Sequence, residues 1–193
     1  MKKQKCNLLV IICCALSLDK ADYLLWCRKY DKAYGFLAQR ERELGFKFRK
    51  NKVMTKADLV AVVDWVFRSE PDKKDRTINL VNRNSDEEVE RVSSQVFNLP
   101  EGSDLYRMNC LTGLEGVNPV LASVILMFFD PKNYGLFDVR VWKPLLGNAP
   151  ANFLTAMNYH TLLLSLRKSA NKHNLDVRVI DKALYKKSID AST

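Results

Sequence analysis

Two histidines and five cysteines are the whole supply of imidazole and thiol groups among 193 residues, and their placement excludes several chemistries. The cysteines, Cys6, Cys13, Cys14, Cys27 and Cys110, form no Cys-x-x-Cys pair and no spacing that suits zinc. None follows Cys110. An odd set of thiols without a framework reads as reduced, mostly buried side chains. His160 lies in Tyr159-His160-Thr161-Leu162-Leu163-Leu164 and reads as a partly buried helical residue, while His173 falls in a polar turn. Ser-His-Asp or Cys-His catalysis therefore has little to build on. No convincing alternating strand, internal repeat or low-complexity segment occurs, and the apolar run Leu8 to Leu16 is too short to span a bilayer.

Helical periodicity is what the chain does have. With 47% hydrophobic residues it can bury a substantial core, and its fold class is all-α. Leu8 to Leu16 reads as a buried helix and Asp22 to Glu43 as one or two amphipathic ones, followed by a basic connection from Gly45 to Val53. Thr55 caps a helix from Lys56 to Arg68, which Glu70-Pro71-Asp72 ends. Ser85-Asp86-Glu87-Glu88 has capping-box spacing and starts a helix to Val96 or Phe97. Ser103 caps the next, and helices follow over Asp138 to Leu146, Phe153 to Lys172 and Leu175 to Lys187. Residues 1–54 are expected to form a helical extension packed on a main domain of residues 55–193.

A net charge of +9 favours a polyanionic partner, with lysine and arginine dense from Lys2 to Lys50 and from Arg167 to Lys187. Each such cluster also reads simply as a solvated face. Lys2, Lys3 and Lys5 before Leu8 to Leu16, with Ala15-Leu16-Ser17 after, keep a secretory signal peptide open as an alternative to a buried helix. The expected location is cytoplasmic (nucleoid, or nuclear in a eukaryote), without membrane association.

The most specific stretch is Leu114-Glu115-Gly116-Val117-Asn118-Pro119-Val120-Leu121-Ala122-Ser123. Gly116 permits the left-handed backbone of a sharp helix exit, and Asn118 is the next most tolerant residue for positive φ. Pro119 suits a first helical position, where its missing N–H would lack a partner anyway. The remaining amides at that helix start point outward at a positive dipole end, so a phosphate is the natural guest. Ala122 and Ser123 are small enough for the new helix to cross closely over the one carrying Leu105, Met108, Leu111 and Leu114.

At these residues the chain resembles the helix-hairpin-helix superfamily of DNA glycosylases, whose hairpin reads Leu-Pro-Gly-Val-Gly-x-x-Thr-Ala and is followed by an aspartate in Val-Asp-x-His/Arg-Val. Leu114, Gly116, Val117 and Ala122 match, Asn118 stands in place of the second glycine, and Asp138 falls on the catalytic aspartate. Phe137 to Trp142 is especially similar to the 8-oxoguanine glycosylases. Weaker likeness extends to Asp64-Trp65-Val66-Phe67-Arg68 and to Asp181-Lys182-Ala183-Leu184-Tyr185. The resemblance implies a monomer that binds double-stranded DNA through Gly116, Asn118, Val120 and Arg140. It also implies that Asp138 stabilises an oxocarbenium-like sugar and activates water. Tyr134, Phe137 and Trp142, with Phe128 and Phe129 near them, are candidates for stacking an extruded base. Family hairpins often hold a cation through carbonyls, here those of Thr112, Leu114 and Val117, and hard oxygen donors suit an alkali or alkaline-earth ion. No other cofactor is implied.

One departure matters for the chemistry. Members that also cleave the backbone carry a Schiff-base lysine where this chain has Val120, so any catalysis should follow the monofunctional, hydrolytic branch. Asp138 equally reads as an N-cap alone. The alternatives are then a DNA-binding module without turnover, a helical protein-interaction domain, and a hairpin closed only by its own hydrogen bonds.

Overall fold

The computed structural model describes residues 18–192, and those residues fold as all-α. Nine helices occur among them: α1 (Lys20–Asn51), α2 (Lys56–Phe67), α3 (Pro71–Val81), α4 (Asp86–Phe97), α5 (Asp104–Thr112), α6 (Pro119–Phe129), α7 (Val139–Leu146), α8 (Ala156–His173) and α9 (Val177–Asp190). The expected helix over Leu8 to Leu16 and the candidate signal peptide lie outside the described residues. None of the described helices is long and apolar enough to cross a membrane.

Local chemistry sets most of the boundaries. Asp19 and Thr55 each form a reciprocal capping box, with Asp22 and Asp58, at the starts of α1 and α2. Ser85 accepts the Glu88 amide at the start of α4. Ser103 stands before α5, but at φ −83° and ψ 27° its side chain makes no capping bond, contrary to expectation. Two other starts move, with α8 beginning at Ala156 behind Thr155 and α9 at Val177. His173 is the last residue of α8 and packs on Tyr23 rather than lying in a turn.

Helix α6 lies at the centre. Every residue from Leu121 to Phe129 is buried, as an all-round apolar helix requires, and α1, α2, α5 and α8 surround it. Helix α1 is longer than its periodicity suggests, because the stretch read as a connection from Gly45 is helical to Asn51. A Cβ on Gly45 would stand 2.5 Å from the Phe128 carbonyl, so only glycine lets α1 approach the end of α6 this closely. One turn later Arg49 Nη1 donates to the Phe128 and Phe129 carbonyls at 2.8 and 3.3 Å, satisfying acceptors at the C-terminal end of α6. Pro71 begins α3 instead of merely ending α2.

Helix α1 also packs along α9, and its residues join those of the other helices in one hydrophobic cluster. At the expected boundary near residue 54, Met54 is fully buried and its amide donates to Ser93 Oγ at 2.8 Å.

Candidate functional site: the hairpin and the Asp138 cleft

The turn between α5 and α6 takes its shape from Gly116, at φ 79°. A Cβ there would approach Leu80 Cβ to 2.9 Å and the Thr77 carbonyl to 3.1 Å, so this glycine serves both a left-handed backbone and close contact with α3. Asn84, buried just beyond α3, fixes the turn from the side. Its Nδ2 donates to the Val81 and Glu115 carbonyls at 2.8 and 3.0 Å, and its Oδ1 accepts the Glu115 amide at 2.9 Å. No local sequence signal marks Asn84, since its partner lies 31 residues away.

Asn118 is not left-handed. At φ −91° and ψ 172° it is the N-cap of α6, and its Oδ1 accepts the Val120 and Leu121 amides, both at 3.0 Å. Those two amides are therefore already used, which corrects the expectation that Val120 presents its N–H to a phosphate. Among the described residues, the amides of Gly116 and Asn118 have no acceptor. The Leu114 carbonyl accepts the Val117 amide at 3.1 Å, while the carbonyls of Thr112 and Val117 have no donor among the described residues. All three residues line one shallow depression with Gly116 and Asn118, so the donor set suits a hard cation in composition. No group of three or more His, Cys, Asp or Glu side chains among the described residues could hold a metal ion.

Asp138 caps α7. Its Oδ1 accepts the Arg140 amide at 2.7 Å, and the amides of Val141 and Trp142 go to its backbone carbonyl. Its Oδ2 pairs with Arg140 Nη1 at 3.1 Å, and with that guanidinium half exposed the pair contributes little to stability. Asp138 and Val120 line the same cleft, of about 270 Å³, together with Arg140. Trp65, Phe67, Tyr30 and Tyr185 supply its aromatic walls, and Arg68 and Glu70 its further charges. Arg140 stacks over the Tyr185 ring at 5.5 Å. Burial raises the Tyr185 phenol above its ordinary range, so it is a neutral hydroxyl at physiological pH. Both outlying stretches singled out in the sequence, around Trp65 and around Tyr185, thus meet Asp138 in one place.

The expected base pocket does not lie there. Tyr134, Phe137 and Trp142 are buried and line no part of this cleft. Phe137 packs against Phe153 and Tyr159, and Trp142 against Phe153. The Tyr134 hydroxyl donates to Asp104 at 2.7 Å and accepts from Arg107. Aromatic side chains at helical spacing went to the core, and the cleft draws its rings from α1, α2 and α9 instead. Phe128 and Phe129 are likewise core residues of α6.

His160 is partly buried on α8, as its sequence context implies, with Nδ1 3.9 Å from Asp104. The described cysteines, Cys27 and Cys110, are free and half-buried. Burial and the nearby Asp31 push the Cys27 thiol up to about 11, which leaves it protonated and unreactive. No family model, no curated protein and no solved structure matches the chain.

Proposed function

We propose that this protein binds double-stranded DNA through the α5–α6 hairpin and hydrolyses the N-glycosidic bond of a damaged base, as a monofunctional glycosylase of the helix-hairpin-helix type. The observation that carries the reading is that Val120 and Asp138, 18 positions apart, share one cleft beside a turn with two unused amides. The Gly116 and Asn118 amides are the donors for a phosphate at the positive end of α6. Arg140 and the net charge of +9 add long-range attraction for the duplex. The carbonyls of Thr112, Leu114 and Val117 would hold a monovalent or alkaline-earth cation, whose charge would offset the phosphate.

In the cleft, the Asp138 carboxylate faces the positive charge that develops on the sugar as the C1′–N bond breaks and its electron pair leaves with the base. Water then bonds to C1′, its proton passes to Asp138, and the carboxylate is restored as that proton goes through solvent to the departed base. Val120 offers no amine, so the products are a free base and an intact abasic strand. The aromatic side chains of the cleft, rather than Tyr134, Phe137 or Trp142, flank the extruded nucleotide.

Asp138→Asn tests the assignment cleanly, because asparagine caps a helix about as well as aspartate. The variant is expected to fold and to bind duplex with wild-type affinity and salt dependence, while base release is abolished. Turnover equal to wild type would remove Asp138 from the chemistry. A second reading has its own observation: both oxygens of Asp138 are engaged by Arg140, as a purely structural cap would have them. Single-turnover assays on duplexes carrying a panel of damaged bases decide between the two. Salt-sensitive binding with release from none would make the protein a DNA-binding module.

A further inference from the structure

We propose that Ser123 is a positioning residue for Asp138, tying the loop that carries the carboxylate to the helix whose N-terminus receives the DNA backbone; the assignment rests on the glycosylase reading above. Ser123 is fully buried on α6. Its Oγ donates to the Val120 carbonyl at 2.7 Å and accepts the Phe137 amide at 2.9 Å. One hydroxyl therefore bridges Val120 to the residue immediately before Asp138.

The sequence alone explains only the size of this residue, since a small side chain lets α6 cross α5. Alanine would meet that need. A hydroxyl in an all-apolar helix costs free energy unless it is bonded, and here its proton and a lone pair are both used. The second bond reaches 14 residues along the chain, so it serves the loop as well as the helix.

The carboxylate needs such a bridge. Asp138 bonds only within its own helix start, to Arg140, Val141 and Trp142, and those contacts would survive any rigid shift of α7 relative to α6. Besides the bond from Ser188 Oγ to the Arg140 carbonyl at 2.7 Å, which ties α7 to α9, its position is set by the pair of amides just before it. Leu136 donates to Asp181 Oδ2 at 3.0 Å from α9, and Phe137 donates to Ser123 from α6. Of these two anchors, only Ser123 belongs to the hairpin. A phosphate held at the start of α6 and a sugar facing Asp138 are thereby kept at a fixed separation.

The test uses the full chain with Ser123→Ala. Losing a buried acceptor also lowers stability, so Val89→Ala, a buried position on α4 remote from the loop, serves as the control matched for loss of thermal stability. In Ser123→Ala the single-turnover rate of base release is expected to fall about 100-fold, the scale of a small misplacement of a reacting group, with duplex affinity at the wild-type value. Exchange of the Phe137 amide should rise about tenfold, as expected for a lost buried hydrogen bond. Val89→Ala should change neither. Wild-type release by Ser123→Ala, or equal slowing by Val89→Ala, would overturn the assignment. Should the wild-type protein release no base at all, the glycosylase reading fails by itself. The bridge is then judged on Phe137 exchange, where unchanged protection in Ser123→Ala refutes it and faster exchange upholds it.

Discussion

Asp104 and Asp181 are both buried carboxylates that face an arginine, yet the two clusters around them are completed differently. Arg167 grips Asp104 with both terminal nitrogens, at 2.6 and 3.0 Å, and the Tyr134 hydroxyl adds a third bond. Both oxygens are used, and α5 is joined to α8. Asp181 takes one nitrogen of Arg178 and the Leu136 amide on the same oxygen, leaving its buried Oδ1 without a partner. Arg178 divides its remaining donors between Glu41 and Tyr30, so α1 and α9 are tied together with one acceptor to spare. Titration follows the difference. Despite its burial, Asp104 is held below the usual carboxylate range by its bonds to Arg167 and Tyr134. In Asp181 the loss of solvation outweighs Arg178, and the carboxyl is pushed up. Burial pushes both carboxyls up; at Asp104 the bonds from Arg167 and Tyr134 outweigh it, and at the more deeply buried Asp181, with one oxygen unpartnered, the bonds it accepts do not.

The largest test of this contrast removes the arginines. Arg178→Ala leaves Glu41 and Asp181 buried without their main partner, with Lys182 4.0 Å from Glu41, and should cost about 3–5 kcal/mol by urea denaturation. Arg167→Ala should cost less, about 1.5–3 kcal/mol, because the Arg167 side chain is 24% exposed and water can reach Asp104 in its place. Equal losses would break the comparison.

The finest test is the sign of the pH response. Asp104 has a depressed folded value, so the advantage of wild type over Asp104→Asn is complete above the unfolded value of 3.8 and disappears as the pH falls through the folded one. Asp181 has a raised folded value. Wild-type stability therefore declines as the pH rises from 3.8 through that value, and Asp181→Asn should lack the decline. Denaturation midpoints measured across the acid range should show opposite slopes for the two differences. Parallel slopes would mean that the clusters are equivalent.

What the sequence made legible was local. Thr55, Ser85, Asp138 and Pro119 mark helix starts because a cap or a proline acts within one turn, and all four stand where that chemistry requires. Gly45 misled for the opposite reason. Its helix-breaking tendency is overridden by contact with Phe128, a partner 83 positions away that no local pattern reports. The site divides in the same way. Gly116, Val120, Asp138 and Arg140 were readable as a motif, and Trp65 and Tyr185 lay within stretches already singled out. Asn84 and the two bonds of Ser123 are tertiary, and so is the choice of which aromatic rings face the cleft.

The packing of α1 on α9 also bears on how the chain is made. Glu41 meets Arg178 across 137 positions and Asp31 meets Lys182 across 151, so the contacts that fix the first described helix are completed by the last. During synthesis α1 leaves the ribosome long before its partner exists, and its Tyr30, which meets Arg178 and Tyr185, remains uncovered until α9 arrives. Closure of such distant contacts slows folding relative to a bundle of neighbours. Premature termination before α9 would leave the hairpin intact in sequence, with Asp138's loop lacking its Asp181 anchor and α1 lacking its main partner.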